Sequence, residues 1–267
     1  MKNVIKKFNS INDFCKYLQK ETAKTWLAEE SHGDRDADWY GTKDYETADR
    51  LLKYGDLESY EAMKAGGLCT AANVGTRQTR QLYSAVVGAM PNVAAFVAGA
   101  PNSMIAQRKV NQKIKVINVC YEISYSSLVS QKTITKIGNS VINEVKAIEA
   151  AGQRCNLYLS ITAQIKDTNV CAMIKVKDAG QTFDLKKLAY PMVNPSMLRR
   201  HGFRFIEVTE GIPFSSNYGS PVTDTSKLKD IFSETVNAKN MIVVNGQNIA
   251  YHKVKPIEEQ VKEAMKG

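Results

Sequence analysis

Beyond Lys113 the chain alternates short, nearly continuous apolar runs with longer stretches whose apolar residues recur every three or four positions. That order is the mark of strands joined by crossover helices, and it predicts a three-layer α/β domain with an open, mostly parallel sheet. The run Ile114–Tyr121 is apolar at almost every position, as a strand covered on both faces must be. A helix is expected from about Ser130 to Ala151, because Ile134, Ile137, Val141, Val145 and Ile148 share one face and Gly152 stands where a left-handed cap is wanted.

Two further runs, Asn156–Ile165 and Val170–Lys177, flank Asp167-Thr-Asn169 and read as a hairpin, so one of them should run antiparallel. Phe203–Thr209 is expected to be a strand, Gly211–Ser220 a loop, Thr225–Val236 a helix, Met241–Asn245 a strand, and the chain after Pro256 a helix.

The first part of the chain, residues 1–105, is expected to form a helical N-terminal region beside an α/β domain over 106–267. Ser10 is a candidate cap for an amphipathic helix over 10–30, and a second helix should run from Asp44 to Tyr54 and stop at Gly55. Between them, Asp34, Asp36 and Asp38 have the density of a calcium loop, but the glycine and distal glutamate of an EF-hand are out of register. The apolar, small-residue stretch Leu82–Val97 is read as part of the helical layer.

Composition narrows the function classes. Five widely spaced cysteines without a CxxC pair argue against a disulfide framework or a zinc site. No run of about 18 apolar residues occurs, so no membrane partner is expected. Residues 1–100 hold 13 Lys/Arg against 13 Asp/Glu and residues 101–267 hold 23 against 14, so the whole surplus of +9 lies in the second part. That asymmetry suits a polyanionic partner such as nucleic acid and equally a merely solvated basic surface. The histidines His32, His201 and His252 are scattered, and no nucleophile elbow, HExxH or glycine-rich phosphate loop is present. His201, beside Arg199 and Arg200, is expected at a helix end, where cations suit the dipole.

One constellation remains. The first central strand ends in Glu122-Ile-Ser124-Tyr-Ser126, and a later segment ends in Thr209-Glu210-Gly211. The pattern resembles von Willebrand factor A-like domains over roughly residues 110–250, with glutamates where that family carries aspartates. The resemblance implies a divalent cation, Mg²⁺ or Mn²⁺, held by Glu122, Ser124, Ser126, Thr162 and Glu210, in a site the longer carboxylates would distort, or no cofactor at all. On the residues alone, Ser124 and Ser126 are equally fit to cap the following helix.

The resemblance further implies a non-enzymatic interaction or assembly module that binds a protein partner at the carboxyl edge of the sheet, with Tyr125, Thr209, Asn217 and Tyr218 as contact residues. A nucleic-acid-associated protein and a metal-dependent enzyme at the same crevice are the alternatives. Over the whole chain, Trp39-Tyr-Gly-Thr42 with Tyr45, Ala48, Leu51 and Tyr54-Gly55, then Gly99-Ala-Pro101-Asn-Ser-Met104, is similar to an uncharacterised family of tailed-bacteriophage proteins. That setting implies action in a host bacterial cytoplasm or within a virion.

Overall fold

The computed structural model describes residues 2–21, 30–33, 36–67, 78–111, 116–213, 215, 217–236, 241–253 and 257–266. The chain divides into two units, a larger one of residues 1–73 and 116–267 and a smaller one of residues 74–115.

In the larger unit the first elements are β1 (Lys2–Phe8), α1 (Ile11–Leu18), α2 (Ala37–Tyr40), α3 (Tyr45–Tyr54) and α4 (Leu57–Ala65). In the smaller unit come β2 (Gln78–Ala85), β3 (Met90–Pro91), α5 (Val93–Val97) and β4 (Met104–Asn111), with the strands in the antiparallel order β2-β4-β3. The larger unit then resumes with β5 (Val116–Glu122), α6 (Gln131–Ala150), β6 (Arg154–Ile165), β7 (Thr168–Lys177) and α7 (Leu185–Val193). A π-helical turn at Met197–Gly202 runs directly into α8 (Phe203–Val208), and α9 (Thr225–Val236), β8 (Met241–Asn245), α10 (Gly246–Ala250) and α11 (Ile257–Lys266) complete it.

Its five strands lie in the order β1-β7-β6-β5-β8. Every neighbouring pair is parallel except the β6–β7 hairpin. Strand alternation sorts the core into two sides. Val119, Tyr121, Leu157, Leu159, Ile161 and Val244 face one cluster, which takes in side chains of α1, α3, α6, α7 and α8. Cys120, Tyr158, Cys171, Met173 and Val243 face the other, which Leu228, Ile231 and Phe232 of α9 cover. The result is the three-layer α/β fold with a mostly parallel sheet that the strand–helix alternation predicts.

The helix α6 follows its sequence closely. Ser130 caps it by accepting from the Thr133 N–H, and the spaced isoleucines and valines are buried. Gly138, inside it, lets α7 approach: a Cβ there would lie 2.6 Å from the Met192 carbonyl oxygen. The four described cysteines, Cys15, Cys120, Cys155 and Cys171, are free and buried.

Three expectations are corrected. The N-terminal region is not all helical, because Lys2–Phe8 pairs in parallel with Thr168–Ile174 as the edge of the sheet. Its lysine-rich sequence, in which polar and apolar residues come in pairs instead of alternating, hides it, since an edge strand keeps one face and one margin in water. Residues 82–97 are strand, turn and a short helix rather than a helical layer. Phe203–Val208 is a helix rather than a strand, continuing the π-helical turn without a break because Gly202 packs against Ile161 and Leu198 instead of ending the segment. Apolar side chains at 203, 205, 206 and 208 fit neither period cleanly over six residues, and only the tertiary context chooses. Of the helix predicted over 10–30, residues 11–18 are helical and 22–29 lie outside the described residues.

Candidate functional site at the carboxyl edge of the sheet

Parallel strands bring their carboxyl ends to one edge, and an open α/β sheet places ligands there. Glu122, the last residue of β5, stands in register with Ser160 of β6 and Asn245 of β8. Its side chain is buried at 1 % exposure. Oε1 accepts from the Ser124 N–H (2.9 Å) and the Thr162 N–H (3.2 Å), and Oε2 accepts from the Ser160 hydroxyl (2.6 Å). Burial pushes its carboxyl above the usual range, against the pull of the hydrogen bonds from Ser124, Ser160 and Thr162. Gly246 closes this corner: a Cβ would meet the Glu122 carbonyl oxygen at 2.9 Å and the Tyr125 ring at 2.6 Å.

Above Glu122 opens a cleft of about 370 Å³. Ser124–Ser127 form one side, Ile161–Ala163 of β6 the floor, and Asn217–Pro221 another side. Two stacked pairs complete the wall. The Arg199 guanidinium lies 4.5 Å over the Trp39 ring, and Phe203 stacks on Tyr218 with ring centroids 4.1 Å apart. Arg199 also donates to the Trp39 and Val129 carbonyls, so it is spent as a brace between two segments. Burial lowers its pKa, opposed by Asp36. The Thr162 hydroxyl is buried in the cleft lining and has no hydrogen-bond partner, an exposed cost unless a ligand meets it.

The structure brings Ser124, Ser126, Thr162, Asn217 and Tyr218 to this cleft and sets Glu122 beneath it. Other expectations fail. Tyr125 lines the cleft with the rest of Ser124–Ser127, but its hydroxyl turns inward onto the Tyr121 hydroxyl (2.5 Å). Thr209 is fully buried and donates to the Phe205 carbonyl oxygen as it ends α8. Glu210 is exposed, follows a helix rather than a strand, and does not line the cleft. Ser130, not Ser124 or Ser126, caps α6; Ser124 Oγ instead accepts from the Thr162 N–H (2.8 Å) and Ser126 Oγ from the Leu128 N–H (3.4 Å).

The residues present do not fit the Mg²⁺ or Mn²⁺ ion implied by the motif. Glu122 and Ser124 direct their oxygens at protein donors, Glu210 is elsewhere, and the described residues contain no group of three His, Cys, Asp or Glu side chains able to hold a metal. The Asp-rich stretch is likewise structural where it is described: Asp36 caps α2 through the Asp38 and Trp39 N–H groups.

Sequence reasoning missed the frame behind the cleft. Arg200 is fully buried and donates to the Thr42 hydroxyl (2.8 Å) and to the carbonyls of Ser31 (3.1 Å), Gly33 (2.9 Å) and Thr42 (2.8 Å). Glu207, also fully buried, accepts from the Ser31 N–H and hydroxyl and from the Tyr218 hydroxyl (2.7 Å). These two charges bind Ser31, Gly33, Thr42 and Tyr218 to the π-helical turn and α8, which fixes Trp39 and Tyr218 as cleft walls. His201 is no cation at a helix end: it is buried, its Nδ1 meets the Tyr190 hydroxyl (3.0 Å), and burial lowers its pKa to about 4. The only sequence signal was that Arg-Arg-His stands in an otherwise apolar stretch.

A family model described as Domain of unknown function (DUF7192) matches residues 1–265. No curated protein and no solved structure matches the chain.

Proposed function

Because the chain belongs to the DUF7192 family, whose description carries no activity, we propose from the geometry that it is a non-enzymatic recognition module that seats a segment of a protein partner in the cleft above Glu122. One observation carries this reading: the cleft offers apolar walls and the unpaired Thr162 hydroxyl, while among the described residues its lining contains no carboxylate, histidine or cysteine to serve as acid, base or nucleophile. Glu122, the nearest carboxylate, has both oxygens engaged and acts as the organiser of the Ser124 turn.

The sheet order, with β5 between β6 and β8 and an antiparallel β7 beyond β6, supports a relationship to von Willebrand factor A-like domains. The partner-binding edge and the phage setting rest on that resemblance and on the tailed-phage one. No helix among the described residues is long and apolar enough to cross a membrane.

The test is selection of a displayed random-peptide library against the immobilised protein, with Ser126→Trp, which fills the cleft mouth, as the counter-selection. Thr162→Val should weaken the selected peptides about tenfold through loss of one hydrogen-bonding group at unchanged thermal stability. Peptides that bind Ser126→Trp as well as the wild type would remove the cleft from consideration.

A further inference from the structure

Among its described residues, the smaller unit shows no core of its own. No residue from 81 to 108 is buried. Leu82 is 55 % exposed, Val87 81 %, Phe96 72 % and Val97 79 %. Leu82 and Tyr83 are consecutive in β2 and point to opposite faces, yet both are exposed, so the ribbon is bare on both sides. Weighted by ordinary side-chain areas, the exposed apolar residues between 82 and 97 present on the order of 900 Å², against the roughly 800 Å² per partner that a standard interface buries.

Charge says what kind of surface covers it. Residues 74–115 contain six Lys/Arg (Arg77, Arg80, Arg108, Lys109, Lys113, Lys115) and no Asp or Glu. Residues 36–61 of the larger unit hold eight Asp/Glu against three Lys/Arg. On that stretch, which runs from the start of α2 into α4, Asp38, Leu57 and Glu58 line a groove of about 570 Å³ together with Lys43 and Arg50, and Tyr54 and Leu57 are 80 % and 60 % exposed. The groove itself mixes the two signs, and it is the stretch as a whole, with its excess of Asp and Glu and its exposed Tyr54 and Leu57, that complements a basic, apolar ribbon.

We propose that the β2–β4 ribbon of one copy, residues 78–111, docks on the α2–α4 face of a second copy. The contact joins two different surfaces, so a docked pair still has one free ribbon and one free acceptor face, and the assembly grows head to tail into a ring or a filament. A lipid surface is the poorer match, because the apolar part of β2 and its turn, Leu82 to Val87, spans roughly 17 Å at strand rise, deeper than the ~5–10 Å an interfacial element enters.

Sedimentation velocity on the full chain tests this across concentration, at about 50 mM and about 500 mM salt, where screening separates charge-assisted from purely apolar association. The wild type should self-associate, and more weakly at high salt. Phe96→Asp with Val97→Asp on the ribbon, and Asp38→Lys with Glu58→Lys on the face, should each weaken self-association at least about tenfold while keeping the wild-type melting temperature. Mixed together, the two variants should form a 1:1 heterodimer and stop, because one intact ribbon then meets one intact face. A wild type that stays monomeric at all concentrations, including one that instead binds anionic vesicles or nucleic acid, overturns the proposal. So does association that is untouched by the face variant or strengthened by salt, which would mean ribbon against ribbon.

Discussion

Replacing Glu122 separates its two conceivable roles, organiser of a turn or ligand of a cation. In Glu122→Gln the amide oxygen still accepts from the Ser124 and Thr162 N–H groups, and the new N–H group can donate to the Ser160 hydroxyl that now donates to Oε2. In Glu122→Ala the Ser124 N–H loses its acceptor outright. Thr162 N–H keeps Ser124 Oγ at 2.8 Å, and Ser160 Oγ has only the Tyr121 carbonyl at 3.5 Å. One orphaned donor, one weakened one and a small cavity together cost about 2–4 kcal/mol. For a protein of this length that lowers Tm by about 5–15 °C, whereas the Gln variant should stay within about 1 kcal/mol at pH 5.

The pH dependence carries a sign. Burial raises the folded-state pKa of Glu122, so the native protein holds that proton after the unfolded chain has released it near 4.5. The wild type therefore loses stability as pH rises above that value, and Glu122→Gln, which has no proton to lose, gains on the wild type between pH 5 and pH 8. Urea unfolding of the three proteins at both pH values, with and without Mg²⁺ or Mn²⁺, is the assay. The reasoning is refuted if the Gln variant falls as far as the Ala variant while cation stabilises only the wild type, because Glu122 would then be a metal ligand.

Two further outcomes follow from the buried charges. His201 has its pKa lowered to about 4 by burial, below its unfolded value, so its contribution is lost as pH falls from about 6.5 toward about 4; between pH 7 and pH 5 the wild type should lose about 2 kcal/mol relative to His201→Asn, read from urea midpoints. Arg200→Met strips donors from the carbonyls of Ser31, Gly33 and Thr42 and should cost about 3–5 kcal/mol, with Arg200→Lys recovering less than half because one ammonium cannot span the sites the guanidinium fork reaches; equal stability of the three proteins would contradict the clamp role.

What was legible in the sequence follows burial. β5, β8, α6 and α9 read well because an element covered on a whole face must show its apolar residues in unbroken runs or at helical spacing, as Val119–Tyr121 and Ile134–Ile148 do. The hairpin was legible but its turn was not placed: the turn is Lys166–Asp167, with Lys166 in the left-handed region, and Thr168 and Asn169 already belong to β7. β1 did not read well, since half of Lys2–Phe8 is lysine or asparagine facing water. Of the cleft, Ser124, Ser126, Thr162, Asn217 and Tyr218 came from a motif resemblance that put them at a strand edge, and that edge is where they are. Glu210 was carried along by reading 203–209 as a strand, and it left the site once that segment proved helical. Trp39, Arg199 and Phe203 were not legible as walls, because what places them is contact between residues 31–42 and 199–218, and nothing in a linear pattern marks two such segments as neighbours.

The pairing of β1 with β7 sets an order on biosynthesis. Asn3 and Asn169, 166 residues apart, hold each other across the strand pair. At a ribosomal rate of ~5–20 residues per second, the first strand to be made waits roughly 10–30 s before its partner exists. Through that interval the charges of Lys2, Lys6 and Lys7 disfavour adhesion of the unpaired strand to other nascent chains, the same lysines that conceal β1 from a reader.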